Sequence, residues 1–202
     1  MVYAGSFDGS YIGLGLGAQY NNVYNHTSAI TNIQEPSLSD THITGQVFAG
    51  YGVDITPAFN FGANIFYNLS DESSGSAINT AGQLISGKFK NNWGISIEPG
   101  YNFSDNMLIH LKLGYARAEY NQTNSTGTNT SVNELSKSMD GFLYGIGVKY
   151  AVNRNVYIGA DLTEYYYGGN SSTGPSANLT HLVPINWKAQ QSVGLVSVGY
   201  QF

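Results

Sequence analysis

Cysteine is absent from these 202 residues and charge is scarce, with 8 Lys+Arg and 13 Asp+Glu making up 10% of the chain. A soluble domain usually carries about 25% charged residues. Without cysteine there is neither a disulfide scaffold nor a thiolate metal site. The net charge of -5 and the lack of clustered Lys and Arg exclude a nucleic-acid binder, which must displace counterions from phosphates. No apolar run approaches the ~18 residues of a membrane-spanning helix. The segment Met1-Val2-Tyr3-Ala4-Gly5 has neither the basic start nor the apolar stretch of a secretory leader, so an exported chain is expected here in a form without its leader. Taken alone, these shortages describe a soluble chain, and the 42% hydrophobic content is enough to exclude wholesale disorder.

What is present changes that reading. Tyr51, Tyr101, Tyr150 and Tyr200 recur at spacings of 50, 49 and 50, each near the end of an alternating run. The first three are followed by turn signals, Asp54-Ile55-Thr56-Pro57, Ser104-Asp105-Asn106 and Asn153-Arg154-Asn155, and the fourth stands next to the last two residues. Successive strand side chains point to opposite faces, and the two faces separate cleanly. Ile12, Leu14, Leu16, Ala18 and Tyr20 oppose Tyr11, Gly13, Gly15, Gly17 and Gln19, while Phe59, Phe61, Ala63, Ile65 and Tyr67 oppose Asn60, Gly62, Asn64 and Phe66. The same alternation runs from His42 to Val53 and from Asn92 to Phe103, and again through residues 107–115, 142–152, 156–166 and 188–202. The count is eight strands with no helical period. Three tight turns alternate with four long connections rich in Asn, Ser, Thr and Gly, at roughly 25–41, 70–88, 121–139 and 168–187.

Alternation alone fits a soluble sandwich or a membrane barrel. Three features favour the barrel. The polar face is dominated by small Gly, Ser, Asn and Gln, which suit a narrow interior, and the apolar face carries bulky residues suited to lipid. Aromatics gather beside the tight turns (Tyr51, Phe59, Tyr101, Phe103, Tyr150, Tyr200, Phe202) and again near the opposite rim (Tyr20, Tyr24, Tyr67, Trp93, Tyr115, Tyr166), forming two interfacial girdles. An open sheet would leave unpaired backbone groups in lipid, so the sheet must close, and an even strand number puts both termini on one side. The expected fold is an all-β, eight-stranded antiparallel up-and-down transmembrane β-barrel, one domain over residues 1–202.

The last strand, Val196-Ser197-Val198-Gly199-Tyr200-Gln201-Phe202, with Tyr200 and the terminal Phe202, resembles the assembly signal of bacterial outer-membrane barrels. With Glu98-Pro99-Gly100-Tyr101-Asn102-Phe103 and Leu111-Lys112-Leu113-Gly114-Tyr115, the whole chain resembles the small OmpA/OmpX-like and opacity-protein-like barrels. That resemblance implies three short periplasmic turns, four long extracellular loops, residence in the outer membrane of a Gram-negative bacterium and insertion by the outer-membrane assembly machinery.

Inward ionisable residues are the first candidates for a functional site, because a buried charge is costly without a partner. Taking Asp105 as the centre of the second turn, residues whose numbers sum to 210 face each other, which sets Glu98 opposite Lys112 as a cross-strand ion pair. Across the third turn Lys149 and Asp161 are diagonal neighbours within side-chain reach. His110 and His42 are expected to join this barrel-interior polar network. A network of this kind is either a neutral plug or a narrow gated pathway, and eight strands are too few for a wide pore. Arg117 and Lys188 share parity with lipid-facing residues just above the outer girdle, where a cation reaches the phosphates of lipopolysaccharide.

Other motifs resolve to bland readings. Gly13-Leu14-Gly15-Leu16-Gly17 is strand alternation and not a nucleotide loop, since no helix follows. Asn121-Gln122-Thr123 and Asn178-Leu179-Thr180 are chance matches to the glycosylation triplet. Asp40, Asp71, Glu72, Glu119, Glu134 and Asp140 read as solvated rim carboxylates, with no metal site. Some barrels of this family modify lipids, but none of His26, His42, His110 and His181 forms an outward His-x-Ser pair on a strand near the outer rim, so no catalytic residue and no cofactor is expected. The expected role is a non-enzymatic surface protein whose loops mediate adhesion, self-association or envelope stability. Its partners are outer-membrane lipid and lipopolysaccharide, with a homo-oligomer or surface array built through the loops. A lipid-modifying enzyme and a narrow gated channel are the alternatives.

Overall fold

Alternating residues pair into a single antiparallel sheet that closes on itself. The computed structural model describes residues 6–27, 37–78, 84–125, 132–168, 171–175 and 182–202. Its strands are β1 (Gly9–Thr27), β2 (Leu38–Thr56), β3 (Phe59–Asn68), β4 (Glu72–Ile78), β5 (Leu84–Ser104), β6 (Met107–Ser125), β7 (Val132–Ala151), β8 (Val156–Tyr167), β9 (Ser171–Pro175) and β10 (Leu182–Gln201). Eight of them follow the order β1-β2-β3-β5-β6-β7-β8-β10, and β10 then pairs with β1 from Gln201 opposite Tyr11 to Ile185 opposite Thr27. The closed ring leaves no edge along the spanning section, as a sheet in lipid requires. β4 and β9 are short additions that pair with β5 and β10 above the rim.

The three tight turns lie where the turn signals place them, between β2 and β3, β5 and β6, and β7 and β8. The long connections differ from the expectation of irregular loops. Much of 25–41, 70–88, 121–139 and 168–187 is strand, because β1, β2, β5, β6, β7 and β10 each run for 19 to 21 residues. A spanning strand needs only ~9–11. Asn and Gly have weak strand propensity, but pairing with the partner arm of each hairpin overrides it. The remaining parts of those four connections, the tips at 28–36, 79–83, 126–131, 169–170 and 176–181, lie outside the described residues, as do the side chains of Tyr24, His26, Glu134 and His181.

The outer wall carries Ile12, Leu14, Leu16, Ile43, Ile65, Ile97, Leu111, Leu113, Ile146, Leu162 and Val196 as exposed apolar groups. The described aromatics of both girdles face outward with them, with Phe59 and Tyr101 edge to face at 5.6 Å and Tyr200 and Phe202 at 5.1 Å. The interior departs from the expected small polar filling. Phe66, Phe89, Tyr120, Leu143, Tyr165 and Tyr167 are buried inside, in a cluster that also holds Val23, Ile85, Ala116 and Leu195. A smaller cluster of Phe7, Tyr11, Leu108, Ala151 and Tyr157 closes the end near the tight turns. One reason the larger cluster is hidden in the sequence is a bulge in β5 between Lys90 and Trp93. Asn91 adopts φ 50 there, a left-handed conformation asparagine tolerates, and the extra residue turns Phe89 inward in place of Lys90.

Candidate functional site

Between the two apolar clusters lies a ring of charge. Residues 97 and 100 of β5 pair with 113 and 110 of β6, so the register brackets Glu98 and Lys112 across the strands. Lys112 Nζ stands 3.7 Å from Glu98 Oε1. Lys149 Nζ donates to Glu98 Oε2 at 2.8 Å from the next strand over, and Tyr11 OH donates to the same oxygen at 3.2 Å. Lys149 is diagonal to Asp161, since Gly147 is the residue opposite Asp161 and Gly159 the one opposite Lys149. The two do not join as an ion pair among the described residues. Instead Asp161 Oδ1 lies 3.0 Å from His110 Nε2 and 4.0 Å from Lys112 Nζ. The lumen is narrow enough for a lysine to reach past its neighbouring strand, so Lys149 takes the more enclosed carboxylate.

The ring is capped on both sides by aromatics. Lys149 Nζ lies 4.5 Å from the Tyr11 ring centroid, and Lys112 Nζ lies 5.9 Å from that of Phe66. His42 does not join the ring: it stands opposite Gln19 in the outer half, and both of its ring nitrogens are buried without a hydrogen-bond partner.

Glu72, read above as a solvated rim carboxylate, is fully buried in the lumen. Its Oε2 accepts from Gln19 Nε2 at 2.6 Å and Gln191 Nε2 at 3.1 Å, and its Oε1 accepts from Asn68 Nδ2 at 2.9 Å. Asn92 Nδ2 donates to Gln191 Oε1 at 3.1 Å, and Tyr167 OH donates to Asn92 Oδ1 at 3.1 Å, extending the cluster across the lumen. Sequence reasoning missed Glu72 because it follows the break after β3. Leu69 N–H donates to Gly45 O at 2.8 Å there, drawing the chain back onto the rim.

On the outer wall Arg117 and Lys188 both face outward, and the pairing of β10 is continuous and without a bulge, with β1 from Lys188 to Val198 and with β8 from Ala189 to Val198. Arg117 Nε is 3.7 Å from Asp140 Oδ1, which also accepts from Tyr115 OH. Lys188 has no ion-pair partner among the described residues. A 570 Å³ groove runs between Tyr115, Asp140, Phe142, Tyr166, Lys188 and Gln190.

A closed ring of this size, an apolar wall bounded by aromatic girdles and a filled interior describe a barrel made for lipid. The family model of the outer membrane protein beta-barrel domain matches residues 1–202. The chain belongs to this family. It resides in the outer membrane of a Gram-negative cell. None of the curated proteins compared with it matches. OprG from Pseudomonas aeruginosa superposes with a TM-score of 0.58 at 12% identity, over 98% of this chain and 98% of that one. Ail, the attachment invasion locus protein of Yersinia pestis in complex with the heparin analogue sucrose octasulfate, gives 0.51 at 13% identity over 96% and 99%. The outer membrane protease OmpT from Escherichia coli gives 0.53 at 9% over 97% and 97%. At such identities these likenesses show a shared fold, and a shared fold does not fix a function.

Proposed function

We propose that this protein is a non-enzymatic surface protein, which holds its long outer hairpins rigidly above the membrane for adhesion or self-association. The observation that carries this reading is strand length. Six strands of 19 to 21 residues cross a layer that needs ~9–11, so about half of each stands outside as a polar, paired stalk. The filled interior agrees: the charge ring and the apolar cluster above it make the barrel a plugged support. Ail, a fold neighbour bound to a polyanionic sugar analogue, is a precedent for ligand binding on this scaffold. Arg117 and Lys188 fit the role of anchors, exposed cations at the level of lipopolysaccharide phosphates, each worth ~1 kcal/mol near an anionic surface. Tyr200 on the closing strand and Phe202 just beyond its end fit an assembly signal read by the insertion machinery.

The test is to shorten the hairpins at paired positions. Asn121 and Ser136 are opposite each other, as are Tyr167 and Ala189, so a two-residue turn can join residues 121 to 136 and 167 to 189. Both shortened proteins should keep the heat-dependent gel shift of a folded barrel and lose cell aggregation and surface binding. Unchanged aggregation and binding in a folded double deletion would sink the reading.

A further inference from the structure

One polar cluster faces the wrong solvent. Glu164 of β8 shares the outward face with Ile158 and Leu162, yet it is a carboxylate. Its Oε2 accepts from Ser192 Oγ at 2.8 Å and from Gln190 Nε2 at 3.3 Å, and Gln190 Nε2 also donates to Tyr166 OH at 3.2 Å. Oε1 has no partner among the described residues. A charged group on the lipid wall is destabilising, less so near the interface, and Glu164 sits one outward position below Tyr166 of the outer girdle. Two grooves flank this cluster, with Tyr166 and Gln190 lining the upper one and Glu164 and Ser192 the lower. The upper one is the 570 Å³ groove leading to Lys188. The lower one, 510 Å³, runs down the wall past Tyr144, Ile146, Leu162 and Gly194. Gly194 makes the lower trough: it lies in the outward row between Ser192 and Val196, opposite Ala18 and Leu162, and a Cβ there would meet Leu162 Cδ2 at 3.4 Å.

From top to bottom this surface therefore presents a cation, an acceptor and an apolar trough. We infer that it seats one outer-leaflet molecule, a phosphorylated glycolipid of the lipid A class. Its phosphate meets Lys188, its acyl chain lies in the trough beside Gly194, and Glu164 Oε1 accepts from the amide N–H or hydroxyl where chain joins sugar. The carboxylate sets the specificity. A glycerophospholipid joins its chains through esters, which offer acceptors only, so it would leave Glu164 facing carbonyl oxygens. An amide-linked hydroxyacyl chain offers donors at that depth. The inference rests on the anchoring role of Arg117 and Lys188 and adds the group that chooses between lipids.

The experiment uses the full chain in nanodiscs of phosphatidylethanolamine and phosphatidylglycerol, with and without hexa-acyl lipid A, and counts lipid A retained per barrel by native mass spectrometry after detergent exchange. Glu164→Leu with Ser192→Val suits a lipid-facing wall and should fold. It should retain roughly tenfold less lipid A, the equivalent of about 1.4 kcal/mol, with phospholipid retention unchanged. Gly194→Leu, which fills the trough, should act in the same direction, and so should Arg117→Ala with Lys188→Ala. If only the cation variant loses lipid A, the anchoring stands and the Glu164 site falls. If no variant loses it, both fall. A wild-type dimer that becomes a monomer in Glu164→Leu with lipid A unchanged would make this face a contact between copies and overturn the inference.

Discussion

Below the rings of Phe66 and Tyr165 the lumen holds Glu98, Asp161, Lys112, Lys149 and His110, linked at 2.8 to 4.0 Å. Above them Glu72 meets three amides and, among the described residues, no cation. Both carboxylates are enclosed, Glu98 at 2% exposure and Glu72 at 0%, so the same cost of burial is met in two ways. In the lower half the conserved quantity is net charge, two carboxylates against two ammonium groups. In the upper half it is the number of donated hydrogen bonds. A ring of opposite charges is rigid to the loss of any member, whereas an amide cluster can turn its groups and partly recover.

The sharpest way to break the comparison is Glu98→Ala. It leaves Lys149 and Lys112 short of their shared counter-charge, and removing one partner of a buried pair costs about 3–5 kcal/mol. Urea unfolding of the folded barrel in detergent should show that loss, and Lys149→Met in the same chain should restore part of it. Full stability in Glu98→Ala alone would mean that the ring is hydrated and not a neutral plug.

Phe66→Ala comes next, at about 3 kcal/mol for a buried phenylalanine whose cavity cannot collapse, because Phe66 separates the ring from the amide cluster. The layer it belongs to should also keep the lumen closed when charge is removed. Planar-bilayer recordings of Glu98→Ala with Lys112→Ala are expected to show no unitary conductance. Conductance in that variant, with the aromatics intact, would identify the charges as a gate and revive the channel reading.

The difference between the halves also tracks what could be read from the chain. Strand number, the turn positions and the facing of Glu98 and Lys112 were legible because period-two alternation and turn centring are local rules. The partner of Lys149 was not, since register arithmetic sees only adjacent strands and a lumen this narrow lets side chains cross to the next. Phe89 was hidden by the bulge at Asn91, and Tyr165 by a run of three tyrosines, Tyr165, Tyr166 and Tyr167, in which alternation leaves no trace. Glu164 was likewise passed over because its strand was read by its apolar majority. Glu72 and the outer stalks lay in segments whose composition says loop, and only pairing between arms made them strand.

The smallest effects are the most discriminating, and both concern Glu72. Glu72→Leu removes the acceptor of three amides at once. Asn68 Nδ2 and Gln191 Nε2 are then left as buried donors, at a cost of about 1–3 kcal/mol. Glu72→Gln instead keeps shape and one acceptor oxygen and removes the charge. Its new amide N–H₂ needs an acceptor, and one is near: Gln19 Oε1 is buried without a partner, so a half-turn of the Gln19 amide would present it, at the cost of the 2.8 Å bond that Gln19 Nε2 donates to Asn21 Oδ1. Gln191 Nε2, which donates to the same Glu72 oxygen as Gln19, loses its acceptor in the exchange while a buried charge disappears, so the loss in unfolding free energy should be about 1–2 kcal/mol, no more than that of Glu72→Leu. Equal large losses in Glu98→Gln and Glu72→Gln would show that Glu72 also answers to a cation, and the two halves of the lumen would then follow one rule.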